Sequence, residues 1–102
     1  MLIEGLTMPK GYLIARAHVT DAEKWAQYAE GTKIALAKFG GKPLARGGRF
    51  EIVEGEGCAR NAILEFPTFE DALGYARSPE YAEAKALREG AGIMNMTIVE
   101  GL

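Results

Sequence analysis

The chain has 102 residues, which fits one domain and leaves no room for a second. Its 48% hydrophobic and 25% charged content is that of an ordinary globular protein, and a net charge of -2 with scattered Lys and Arg supplies no basic field for nucleic acid. A single cysteine, Cys58, excludes an internal disulfide, and no apolar run approaches the roughly 20 residues that span a bilayer, so a cytoplasmic protein without a membrane partner is expected.

Residues 1–7 are too short and too acidic for a signal peptide and are read as an N-terminal extension to a domain over residues 8–102. Gly11 to Val19 reads as a strand with two faces, because successive side chains point opposite ways. Leu13, Ala15, Ala17 and Val19 lie on one face, and Tyr12, Ile14, Arg16 and His18 on the other. Thr20-Asp21-Ala22-Glu23 then carries a helix-start signature, with Thr20 or Asp21 as the cap. Trp25, Tyr28, Thr32, Leu36 and Phe39 follow at helical spacing. Gly31 within that stripe costs about 1 kcal/mol relative to alanine. Gly40-Gly41 stops the helix.

Pro43 to Glu54 reads as a second strand, with a bulge or bend expected at Gly47-Gly48. Gly55-Glu56-Gly57 reads as a hairpin turn, and Ala59 to Phe66 as the third strand. Thr68 to Asp71 opens a second helix, which Ser78-Pro79 restarts. Ile93 to Glu100 is the last strand. The order β-α-β-β-α-β is the ferredoxin-like arrangement of the α+β class, a four-stranded antiparallel sheet with its helices on one face.

The helices then cover Leu13, Ala15, Ala17 and Val19, with Ala62, Leu64 and Phe66 and with Met94, Met96 and Ile98. The other face carries Tyr12, Ile14, Arg16 and His18, with Asn61, Ile63 and Glu65 and with Asn95 and Thr97. This set mixes polar and bulky apolar groups, which suits two sheets from two copies closing into a barrel with an enclosed interior. Arg16 and Glu65 sit on neighbouring strands in this topology and could pair there. A cavity with a few converging polar groups is the usual form of a small-molecule site, and Tyr12, Arg16, His18, Glu65 and Asn95 are its candidate ligand-binding residues. The alternative is that these groups satisfy one another across a dimer interface.

Met8-Pro-Lys-Gly-Tyr12, the stretch from Phe39 to Glu51, the run Leu64-Glu-Phe-Pro-Thr-Phe-Glu-Asp-Ala-Leu73, Arg77-Ser-Pro-Glu-Tyr81 and the closing Val99-Glu-Gly101 together resemble the "domain of unknown function 1330" family. The resemblance runs from about residue 8 to the end. It implies a dimeric α/β barrel, hence a homodimer, and it implies no activity. The wider barrel group includes cofactor-free monooxygenases, haem-handling enzymes and isomerases, but none of their catalytic motifs is matched here.

The residues leave the chemistry open. His18, the one histidine, could act as general base in a cofactor-independent oxygenase or isomerase, or could simply be hydrogen-bonded at a strand end. Arg16, Arg46 and Arg49 could clamp a carboxylate, or could meet Glu65 and the partner chain instead. Ser78, the one serine, and Asp21 are accounted for as helix caps, which disfavours a triad with His18. Cys58 beside Arg60 reads as an inert thiol. One His and one Cys fall short of a zinc ligand set, and neither a phosphate loop nor a cofactor is expected. A dimer with a filled interior and no ligand is the third reading.

Overall fold

A computed structural model describes residues 8–102 of the chain; the expected extension at residues 1–7 lies outside the described residues. Strand β1 (Gly11–Val19) keeps the expected alternation, with Leu13, Ala15 and Ala17 buried and Ile14, Arg16 and His18 exposed on the other side. Helix α1 (Ala22–Phe39) is capped by Asp21 rather than Thr20, since Asp21 is extended and its carboxylate accepts the Lys24 backbone N–H at 3.1 Å. Thr20 instead donates its backbone N–H to the Ala91 carbonyl. Gly40, in the left-handed conformation at φ 72°, ends the helix.

The helix runs unbroken through Gly31 for a packing reason. A Cβ there would lie 3.1 Å from Leu87 Cδ1 and 3.4 Å from Ala84 Cβ, so glycine permits the close crossing of α1 and the third helix. The expected second helix is in fact two, α2 (Phe69–Ala76) and α3 (Pro79–Ala86). Thr68 caps the first through the Asp71 N–H. Ser78 caps the second through the Tyr81 N–H at 3.0 Å, while its own hydroxyl donates to the Tyr75 carbonyl at 2.8 Å. Both hydrogen-bonding roles of that buried hydroxyl are thereby taken.

The second strand is shorter than the sequence suggests. Strand β2 (Lys42–Arg46) stops before Gly47, which turns the chain at φ 67° and donates its N–H to the Asn61 carbonyl. Strand β3 (Arg60–Phe66) begins only at Arg60, so residues 48–59 have no ladder partner, and the expected hairpin turn at Gly55-Glu56-Gly57 does not join paired strands. The bulge is not at Gly47-Gly48 but at Leu44, where the register shifts between Pro43 and Ala45. Strand β4 (Gly92–Glu100) completes a four-stranded antiparallel sheet in the order β2-β3-β1-β4. This is the ferredoxin-like α+β order, with β1 central and paired on both sides.

The core lies between the helices and one sheet face. Phe66 is 1% exposed and packs on Tyr75, with ring centroids 5.1 Å apart. Tyr28 and Tyr81 join hydroxyls at 2.9 Å, so two buried phenols satisfy each other. Replacing Phe66 with alanine is expected to cost about 3–5 kcal/mol of stability. Urea unfolding at a fixed protein concentration measures it; a cost near zero would mean that Phe66 lies outside the core.

Candidate functional site

Two faces of one sheet offer two environments. On the face turned away from the helices, register places Tyr12 opposite Glu65, Ile14 opposite Ile63, and Arg16 between Asn61 and Asn95. The Tyr12 hydroxyl donates to Glu65 Oε2 at 3.1 Å, and Lys42 Nζ lies 3.4 Å from Glu65 Oε1. The hydrogen bond to this carboxylate holds the Tyr12 phenol above its usual 10.0. The Arg16–Glu65 pair that the topology allows does not form among the described residues. Glu65 sits opposite Tyr12, four residues from Arg16, a separation of about 13 Å along the strand.

Of the five candidate residues, Tyr12 and Glu65 are thus in contact, Arg16 and Asn95 are opposed on neighbouring strands, and His18 sits at the far end of β1 opposite Ile93. The same face exposes Ile14, Ile63, Ile93 and Val99. The last two extend the mixed character of the face to the outer strand, and their alternation with Asn95 and Thr97 was there to read.

The helix side holds a cavity of about 60 Å³, several times the roughly 10–15 Å³ that one water needs. Its sheet wall is built from short side chains, Ala15 and Ala17 of β1 and Ala62 of β3, with Met94 and Met96 of β4 beside them. Trp25, Tyr28 and Thr32 of α1 and Tyr75 of α2 face that wall. Burial first, with Tyr81 alongside, pushes the Tyr75 phenol well up; the charges of Arg46 and Arg88 act against it. Burial and Tyr81 do the same to Tyr28, against Arg88, whose guanidinium lies 4.9 Å from the Tyr28 ring centroid. These phenols stay protonated at neutral pH and are not bases there.

Two arginines complete the lining. Arg46 faces Ala62 across the ladder, and Arg60 stands two residues before Ala62 on β3, on the same side. The sequence offers Arg46 as a carboxylate clamp or a partner contact, and Arg60 only as the neighbour of Cys58. The alternation Arg60-Ala62-Leu64-Phe66 was available to place Arg60. Arg49 lies in the unpaired stretch, exposed and apart from the cavity. Asp21 and Ser78 are committed to their helix ends, and the Cys58 carbonyl accepts the Asn61 side-chain N–H. Among the described residues no three of His, Cys, Asp and Glu come together as a metal-ligand group, and no helix is long and apolar enough to cross a membrane.

Compared with known families, residues 10–102 match the one described as "Domain of unknown function (DUF1330)". The chain belongs to that family. No curated protein matches it significantly. Among solved structures, it is similar to a protein of unknown function from Rhodopseudomonas palustris, at TM-score 0.74 and 19% identity over 92% of this chain and 83% of that one. A dimeric protein of unknown function with a ferredoxin-like fold, from Bacteroides fragilis, aligns at TM-score 0.54 and 18% identity, covering 89% of this chain and 95% of that one. SnoaB, a cofactor-independent oxygenase from Streptomyces nogalater, aligns at TM-score 0.60 and 10% identity over 89% of this chain and 91% of its own. At these identities the likeness is one of fold, the same fold that the sheet order gives.

The Tyr12–Glu65 contact sets a pH dependence. A phenol whose folded pKa is raised adds stability that is complete below about pH 10 and is lost as pH rises through the folded value. Glu65→Gln is expected to lower the Tyr12 pKa and to weaken that alkaline loss. NMR titration of ring-labelled tyrosine reads the first effect, and an unmoved Tyr12 would mean that the contact is absent in solution.

Proposed function

We propose that two copies of this chain pack open sheet face to open sheet face, and that each copy binds a small, largely apolar organic molecule between α1 and the sheet. The observation that carries the binding half is the helix-side cavity, in which alanines face three aromatic rings and leave room unfilled. A partly open apolar cavity with a few polar groups at its edge is a common form of ligand site. The pairing half is supported by the exposed isoleucines of the open face, by Phe50, Ile52 and Val53 standing in solvent beyond β2, and by the dimeric Bacteroides fragilis relative.

In this reading Tyr12, Arg16, His18, Glu65 and Asn95 line the barrel interior, where they meet their counterparts in the other copy. The lone cysteine and the acidic balance suit a cytoplasmic setting. An oxygenase or isomerase with His18 as base is a second reading. It puts the chemistry on the opposite side of the sheet from the cavity, and a pH–rate profile that loses its neutral limb in His18→Ala would select it.

Native mass spectrometry of freshly purified protein tests copy number and retained ligand together. Two copies with bound small-molecule mass are expected; a monomer at micromolar concentration overturns the pairing, and a ligand-free dimer leaves the structural reading. Two substitutions separate the halves. Ile63→Asp on the open face is expected to give a folded monomer by sedimentation. Ala62→Leu is expected to keep the dimer, displace the ligand and cost less than the roughly 1–3 kcal/mol of overpacking a filled core.

A further inference from the structure

We infer that Arg46 and Arg60 hold the anionic end of the cavity's ligand, and that this ligand is a small carboxylic acid with an apolar body. The inference rests on the cavity reading above and adds the chemical class of what it takes. Arg46 and Arg60 are diagonal neighbours across the β2–β3 ladder, with backbones about 7–8 Å apart, and both line the same cavity. Gly47, immediately after Arg46, lies against the Arg60 guanidinium: a Cβ at Gly47 would stand 3.4 Å from Arg60 Nη1. The turn that ends β2 therefore packs on the Arg60 guanidinium, one residue after Arg46, and both arginines line the cavity.

Among the described residues neither arginine makes an ion pair, and the cavity lining includes no carboxylate. Two guanidinium charges on one cavity favour an anion, and a guanidinium offers a planar fork of donors that fits a carboxylate through two parallel hydrogen bonds. The rest of the lining excludes a ligand that is charged throughout. Alanines, methionines and aromatic rings reward an apolar body, and the protonated Tyr28 and Tyr75 contribute no negative charge. An apolar body with one anionic end matches both halves of the cavity.

Binding of benzoate, benzyl alcohol and inorganic phosphate, followed by NMR chemical-shift titration of the full chain at neutral pH, tests this. Benzoate is expected to bind about tenfold or more tightly than benzyl alcohol, the scale of a charge-assisted hydrogen bond, and to weaken with added salt. In the double variant Arg46→Gln/Arg60→Gln the advantage is expected to vanish while benzyl alcohol binds as before. Arg49→Gln, outside the cavity, is expected to keep it. Equal binding of benzoate and benzyl alcohol by the unaltered protein overturns the anionic ligand and leaves the cavity reading standing. Competition by phosphate as strong as by benzoate overturns the apolar body. Failure of both aromatic probes to shift the cavity residues overturns the cavity reading and this inference with it.

Discussion

The alternation of β1 is the constraint on which the rest depends. This strand lies at the centre of the sheet, hydrogen-bonded to β3 on one side and β4 on the other, so it cannot slip by one residue without turning all its side chains over. Leu13, Ala15 and Ala17 are thereby committed to the helices, and Tyr12, Ile14, Arg16 and His18 to the open face. Because two of the committed residues are alanines, the aromatic side chains of α1 and α2 face a shallow wall. Trp25, Tyr28 and Tyr75 are too large to interleave with it, and the space between the layers follows from that mismatch in length.

The polar groups of the core are arranged around the same layer. Tyr28 and Tyr81 bond to each other, Ser78 and Thr68 close the ends of their helices, and Arg88 lies over the faces of Trp25 and Tyr28. Arg46 and Arg60 are the charged side chains of the cavity lining, and among the described residues neither has a carboxylate partner.

Much of this was legible in the residues. The two faces of β1, β3 and β4 follow from period two, and the element order follows from caps and glycines, because both signals are local. The extent of β2 was not legible. Arg49 to Glu54 is as strand-like in composition as its neighbours, yet a strand needs a partner, and Gly47 turns the chain before one is reached. The choice of Asp21 over Thr20 as cap was open for a similar reason, since backbone conformation decides it. The cavity was hidden altogether: the sequence says which side chains face one another across two layers, but not whether they touch.

The bulge at Leu44 shows how much can depend on register alone. Counting by twos from Lys42, which shares the open face with Glu65, would put Arg46 on that same face. The one extra residue reverses the count, so Ala45 faces outward with Ile63 while Arg46 joins Ala62 beneath the helices. The sign of the electrostatic potential at the cavity's edge is therefore written in spacing as well as in residue type. The same residues run through position 44 without the bulge would set Arg46 opposite Asn61, on the open face and away from the helices.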